Sequence, residues 1–144
     1  MKIAILLPYK ENFSPEYPGA VSLFVYETSK TSKFKKNITV FGNTLFNKKF
    51  PINYKNIEIK KNIFSSQTKN YVEKFINLEK KINSSIIEVH NRPNYLRILS
   101  SKLQNKIITL YFHNDPLSME GSKTIDERKN TLGTQLLADT CKTS

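Results

Sequence analysis

His90 and His113 are the residues of this chain best suited to chemistry, and each heads the same short pattern: His90-Asn91-Arg92-Pro93 and His113-Asn114-Asp115-Pro116. An imidazole near neutrality both donates and accepts hydrogen bonds, so a pair of them suits a sugar hydroxyl or a phosphate. Asn91, Arg92, Asn114 and Asp115 add amide, guanidinium and carboxylate groups of the kind that hold polyhydroxyl ligands. Asn-x-Pro turns also satisfy their own backbone, so each of these residues taken singly has a structural explanation. A metal is a poor match. Beyond Glu88 and Asp115 no further ligand lies near the histidines in sequence, and two imidazoles fall short of the coordination a metal needs. No nucleophile constellation is visible either: Ser118 and Ser122 lack a GxSxG context, and Cys141 sits in an unpatterned stretch.

These histidines are placed by the stretch from Ser84 to Pro116. Ile86, Ile87 and Val89 form a short β-branched run, and so do Ile107, Ile108, Leu110 and Phe112, which predicts a strand at each site. Between them Tyr95, Leu96, Leu99 and Leu103 recur at helical spacing, with Asn94 placed to cap that helix after Pro93. Two strands joined by a helix lie parallel in one sheet with a right-handed crossover. Parallel strands end on the same edge, so His90 and His113 are expected to emerge side by side, on the edge where open α/β sheets bind ligands.

The rest of the chain supplies the sheet. Lys2 to Pro8 is a near-continuous apolar run, as a central parallel strand should be. Tyr9 to Gly19 is a long polar loop held extended by Pro15 and Pro18, and it carries Glu11 and Glu16, either of which could reach the edge as a base or a hydroxyl-binding carboxylate. Gly19 opens a helix with Val21, Phe24, Val25 and Thr28 on one face, which directs backbone N–H groups and the positive helix end at the same edge. A glycine that merely lets the chain turn explains Gly19 as well, since the pattern is neither GxGxxG nor a P-loop. Asn37 to Gly42 reads as a second strand. Phe46, Phe50 and Tyr54 are expected to tuck against the sheet from a loop spanning Thr44 to Asn56, and Ile57 and Ile59 to form a short edge strand. Ser66 to Asn83 reads as a helix with Tyr71, Phe75, Leu78 and Ile82 inward and Lys and Glu outward. Thr124 with Glu127 matches a capping box for a helix through Leu132. Alternating strands and helices predict an α/β, Rossmann-like doubly wound domain with a mainly parallel sheet and helices on both faces.

Composition sets the bounds. The 144 residues suffice for one domain, and no apolar run approaches the roughly 20 residues that span a bilayer. The first apolar run is too short for a signal-peptide core, and a single cysteine rules out an internal disulfide, so a cytoplasmic protein is expected. The net charge of +11 comes almost entirely from lysine, scattered in pairs such as Lys35-Lys36 and Lys80-Lys81. A solvated surface explains it, and peripheral attraction to an anionic membrane is the association it would favour. Nucleic acid is not expected as a partner, because interleaved Arg and aromatic residues, a recognition helix and an RNP-like strand are all missing.

Taken together, KIAILLP, the long loop to PGAVSLFVYETSK, NITVFG, IIEVHNRPNYL, and IITLYFHNDP followed by TIDERK resemble the N-terminal domain of glycosyltransferase family 4. That resemblance covers residues 2 to 132 and rests on order and spacing. It implies one half of a GT-B architecture, in a retaining enzyme that moves a sugar from a nucleotide sugar to a glycan or lipid-linked acceptor in cell-surface polysaccharide or lipopolysaccharide synthesis. By the same resemblance His113 points into the cleft at the transferred sugar, as the residue nearest catalysis. Gly19 and Ala20 fall where the family approaches the donor phosphates, although the family often has Gly-Gly there. His90 and Asn91, with Arg92, Asn114, Asp115 and Glu16, fall on the acceptor or sugar side. Neither a cofactor nor a metal is implied.

The family's second, nucleotide-binding domain with its Glu-x7-Glu segment has no counterpart here. Residues 1–132 are therefore expected to form the acceptor-side domain, and the unpatterned residues 133–144 to be a truncation or the start of that missing half. Transfer by the chain alone is expected to be weak or nil. The competing expectation is a stand-alone α/β ligand-binding or regulatory module without catalysis.

Overall fold

The computed structural model describes residues 1–60 and 64–114. The described residues form five strands, β1 (Ile3–Leu6), β2 (Ile38–Gly42), β3 (Tyr54–Asn56), β4 (Ile86–His90) and β5 (Ile107–Tyr111), with helix α1 (Ala20–Thr31) between β1 and β2, α2 (Gln67–Ile82) between β3 and β4, α3 (Pro93–Lys102) between β4 and β5, and a loop joining β2 to β3. All the strand pairs are parallel and the order across the sheet is β3-β2-β1-β4-β5. The domain is α/β, Rossmann-like and doubly wound, with the first strand at its centre.

Alternation along the strands divides the core in two. Ala4 and Leu6 of β1, with Ile87 and Val89 of β4, face α2 and α3 and pack on Tyr71, Phe75, Tyr95 and Leu99. Ile5, Leu7, Ile38 and Val40 face the other way, onto Val21 and Val25 of α1 and onto Phe13 and Phe50. By the same alternation Glu88 and His90 leave the α2–α3 side and share the α1 side of β4. Register sets them beside Thr109 and Tyr111 of β5. That corner of the sheet is polar where the rest of the face is apolar.

Five details differ from expectation. β3 is built from Tyr54–Asn56 and not around Ile57 and Ile59, because pairing follows the partner: Val40, Phe41 and Gly42 sit opposite Tyr54, Lys55 and Asn56. Ile57 donates its amide to Gly42 O just beyond the ladder and buries its side chain in the core. Tyr54 accordingly belongs to the sheet edge, whereas Phe50 is buried from the loop as expected. The cap of α3 is Arg92 and not Asn94, since Pro93 takes the first helical position, where a fixed φ and a missing N–H cost nothing. In α1 Thr28 is exposed and turns its hydroxyl back on Phe24 O at 2.8 Å, while Ser22 and Ser29 are buried in its stead.

Helix α2 runs as read, capped by Ser66 and closed by Asn83 in the left-handed region at φ 57°. Its Glu79, expected to be outward, is fully buried and is the fifth difference. The predicted helix Thr124 to Leu132 and the tail 133–144 lie outside the described residues. Among the described residues no helix is long and apolar enough to cross a membrane.

Candidate functional site

The carboxyl ends of β4 and β5 bring the two histidines into contact. His90 Nδ1 lies 2.8 Å from His113 Nε2, and the rings are close to parallel, 5.1 Å between centroids. On its other side His90 Nε2 lies 2.8 Å from Glu88 Oε1. Glu88 and His90 are two apart on one strand, so the pleat puts both side chains on one face. The result is a continuous chain from carboxylate to imidazole to imidazole.

Apolar rings close the site. Phe24, from the second turn of α1, stands edge-on to His113 at 4.7 Å and to His90 at 6.1 Å, and Tyr111 of β5 lies 4.9 Å and 5.5 Å from the same two rings. His90 is wholly shielded from solvent, and His113 is half-buried. Burial pushes the His113 imidazole below its ordinary value of 6.5, and His90 pushes in the same direction, against the carboxylates of Glu11 and Glu88.

Asn91 holds this geometry together. It is buried, adopts a left-handed φ of 51°, donates its amide to Tyr111 O at 2.9 Å, and accepts the His113 amide on Oδ1 at 2.8 Å. The amide oxygen expected on the sugar side is thus occupied with aligning His113. Arg92 donates from Nη1 to Asn91 O at 2.8 Å and caps α3, and Asn114 is exposed at the end of β5. Asp115 lies outside the described residues.

The start of α1 reaches the same edge, since Phe24 of that helix touches both imidazoles. Its N-terminus is occupied. Glu11 Oε1 accepts the Ser22 amide at 3.0 Å, and a Cβ built on Gly19 would come within 1.8 Å of that oxygen. Gly19 itself has φ −72°, ordinary for any residue, so glycine serves here for close approach and not for an unusual backbone. Ala20 is exposed at the first helical position, and Glu16 is exposed on the loop with its amide on Ser14 Oγ at 3.2 Å.

Sequence reasoning set Glu88 aside as an incomplete metal ligand and did not name Phe24 or Tyr111 for the site. The signal for Glu88 was present: a lone carboxylate inside an apolar strand, two positions before a histidine. Among the described residues no three His, Cys, Asp or Glu side chains converge as a metal site.

The chain matches no protein-family profile, no curated protein and no solved structure.

Proposed function

We propose that the rim formed by His90, His113 and the start of α1 binds a polyhydroxyl ligand, and that the domain is the acceptor-side half of a retaining, GT-B-type sugar transferase. The observation that carries this reading is the paired imidazoles at the carboxyl ends of two adjacent parallel strands, on the edge that also receives the first turns of a helix. His113 is the residue assigned to the transferred sugar. A half-buried imidazole with a fixed partner meets a hydroxyl with little loss of freedom. Asn114 and Arg92, with Asp115 next in sequence, are assigned to the acceptor, and Gly19 and Ala20 to the donor phosphates. A GT-B reaction closes two domains around donor and acceptor so that fixed donors stabilise the departing diphosphate. This domain would form one wall of such a cleft, with weak or no transfer expected from it alone.

One observation favours the other reading, a non-catalytic module for a neutral polyol. Glu11 already fills the amide site at the start of α1, so a phosphate gains that site only by displacing a carboxylate.

Titrating the chain with uridine and guanosine diphosphate sugars and with short glycans, followed by amide NMR, separates the two. The transferase reading expects nucleotide-sugar shifts at Gly19 and Ser22 as well as at His90 and His113. Shifts with glycans alone favour the module, and no shifts at either histidine with any ligand reject both.

A further inference from the structure

His113 meets the rim, but which of its nitrogens is free to accept is decided by residues behind it. His90 is completely buried, so water cannot stand in for a missing partner and both of its nitrogens must be satisfied by protein. Its Nε2 faces the Glu88 carboxylate at 2.8 Å, and an ionised carboxylate only accepts, so the hydrogen sits on His90 Nε2. Neutral His90 then carries a lone pair on Nδ1. The 2.8 Å contact between the two rings has room for one hydrogen, which must come from His113 Nε2.

We propose that Glu88 and His90 are positioning residues that hold His113 in its Nε2–H form, leaving His113 Nδ1 as the atom through which the rim accepts a hydrogen bond from a ligand hydroxyl. The tautomer follows from the contacts alone; that the hydroxyl belongs to a sugar rests on the reading above. Among the described residues, the ionisable groups beside the pair are Glu88 on β4, Tyr111 on β5 and Glu11 on the loop before α1; α1 presents the uncharged Phe24.

The test uses the full chain with ¹⁵N-labelled imidazoles and two-bond ¹H–¹⁵N NMR at about pH 7.5, where an unperturbed histidine is neutral. Both rings are expected as Nε2–H. In Glu88→Gln the side-chain amide both donates and accepts, so it no longer dictates the hydrogen on His90, and His113 is expected to become a mixture of both tautomers. An Nδ1–H tautomer at His113 in the unsubstituted protein overturns the proposal. So do His113 signals unchanged by Glu88→Gln in a variant whose backbone amide spectrum is otherwise intact. Should that variant not fold, the unsubstituted spectrum still decides. No sugar is present in this measurement, so failure of ligand binding counts against the proposed function and leaves the tautomer assignment standing.

Discussion

His113 is held neutral by its surroundings, and this has a definite sign in stability. Burial and the neighbouring His90 lower its folded-state affinity for protons below that of the unfolded chain. As pH falls through the ordinary value of 6.5 toward the lower folded value, the unfolded chain binds protons that the folded one refuses, so stability is lost across that window and levels off below it. Urea midpoints of the unsubstituted chain and of His113→Asn, taken between about pH 7.5 and about pH 5, should converge as pH falls. A constant gap between them would show that the His113 imidazole titrates as freely folded as unfolded. Gly19 carries a different lesson at this scale. Its lack of a side chain is used by the Glu11 carboxylate, so a glycine at a helix start records a close approach without naming what approaches.

The junction of α2, β4 and β5 depends on one buried carboxylate. Glu79 accepts the Ser84 amide at 2.5 Å and the Ser84 hydroxyl at 2.9 Å, with Lys106 Nζ 3.8 Å away. Lys106 in turn donates to Asn83 Oδ1 and Ser84 O, so the end of α2, the entry to β4 and the entry to β5 share one network. Asn83, left-handed at the helix end, returns its amide to Glu79 O at 2.7 Å. Removing the carboxylate strands the buried Ser84 amide and takes the counter-charge from Lys106, which keeps its bonds to Asn83 and Ser84. Glu79→Ala should therefore cost about 3 kcal/mol in denaturant unfolding, and Glu79→Gln, which keeps an acceptor for Ser84, roughly half of that. Equal losses in the two variants would show that the charge is what matters. The helical period alone put Glu79 outside, because periodicity reports the average face of a helix and not a carboxylate drawn in by the next turn.

At the scale of the molecule, the strand order makes β1 the best-protected element. It pairs on both sides and is covered on both faces, whereas β3 is a three-residue edge. Native-state hydrogen exchange should be slowest at the amides of Ala4 to Leu6 and of β2, and fastest among the strands at β3. Equal protection in β1 and β3 would contradict this order. The charge of +11 belongs to this scale as well, since lysines spread in pairs over the surface influence association more than they shape the site.

Much of this was legible from residues alone. Runs such as Ile3 to Leu7 and Ile86 to Val89 read as buried strands, and a helical crossover sets the strands it joins parallel, so the neighbouring ends of β4 and β5 followed from local patterns and connectivity. What those ends do to each other did not follow. The 2.8 Å contact between imidazoles, the seating of Glu88 behind His90, the Asn91 clamp and the Glu11 carboxylate against Gly19 each join atoms far apart in the chain or depend on a single rotamer. Periodicity reports which face a residue occupies; distances of a few ångströms between side chains are set by packing across strands, and only the folded chain contains them.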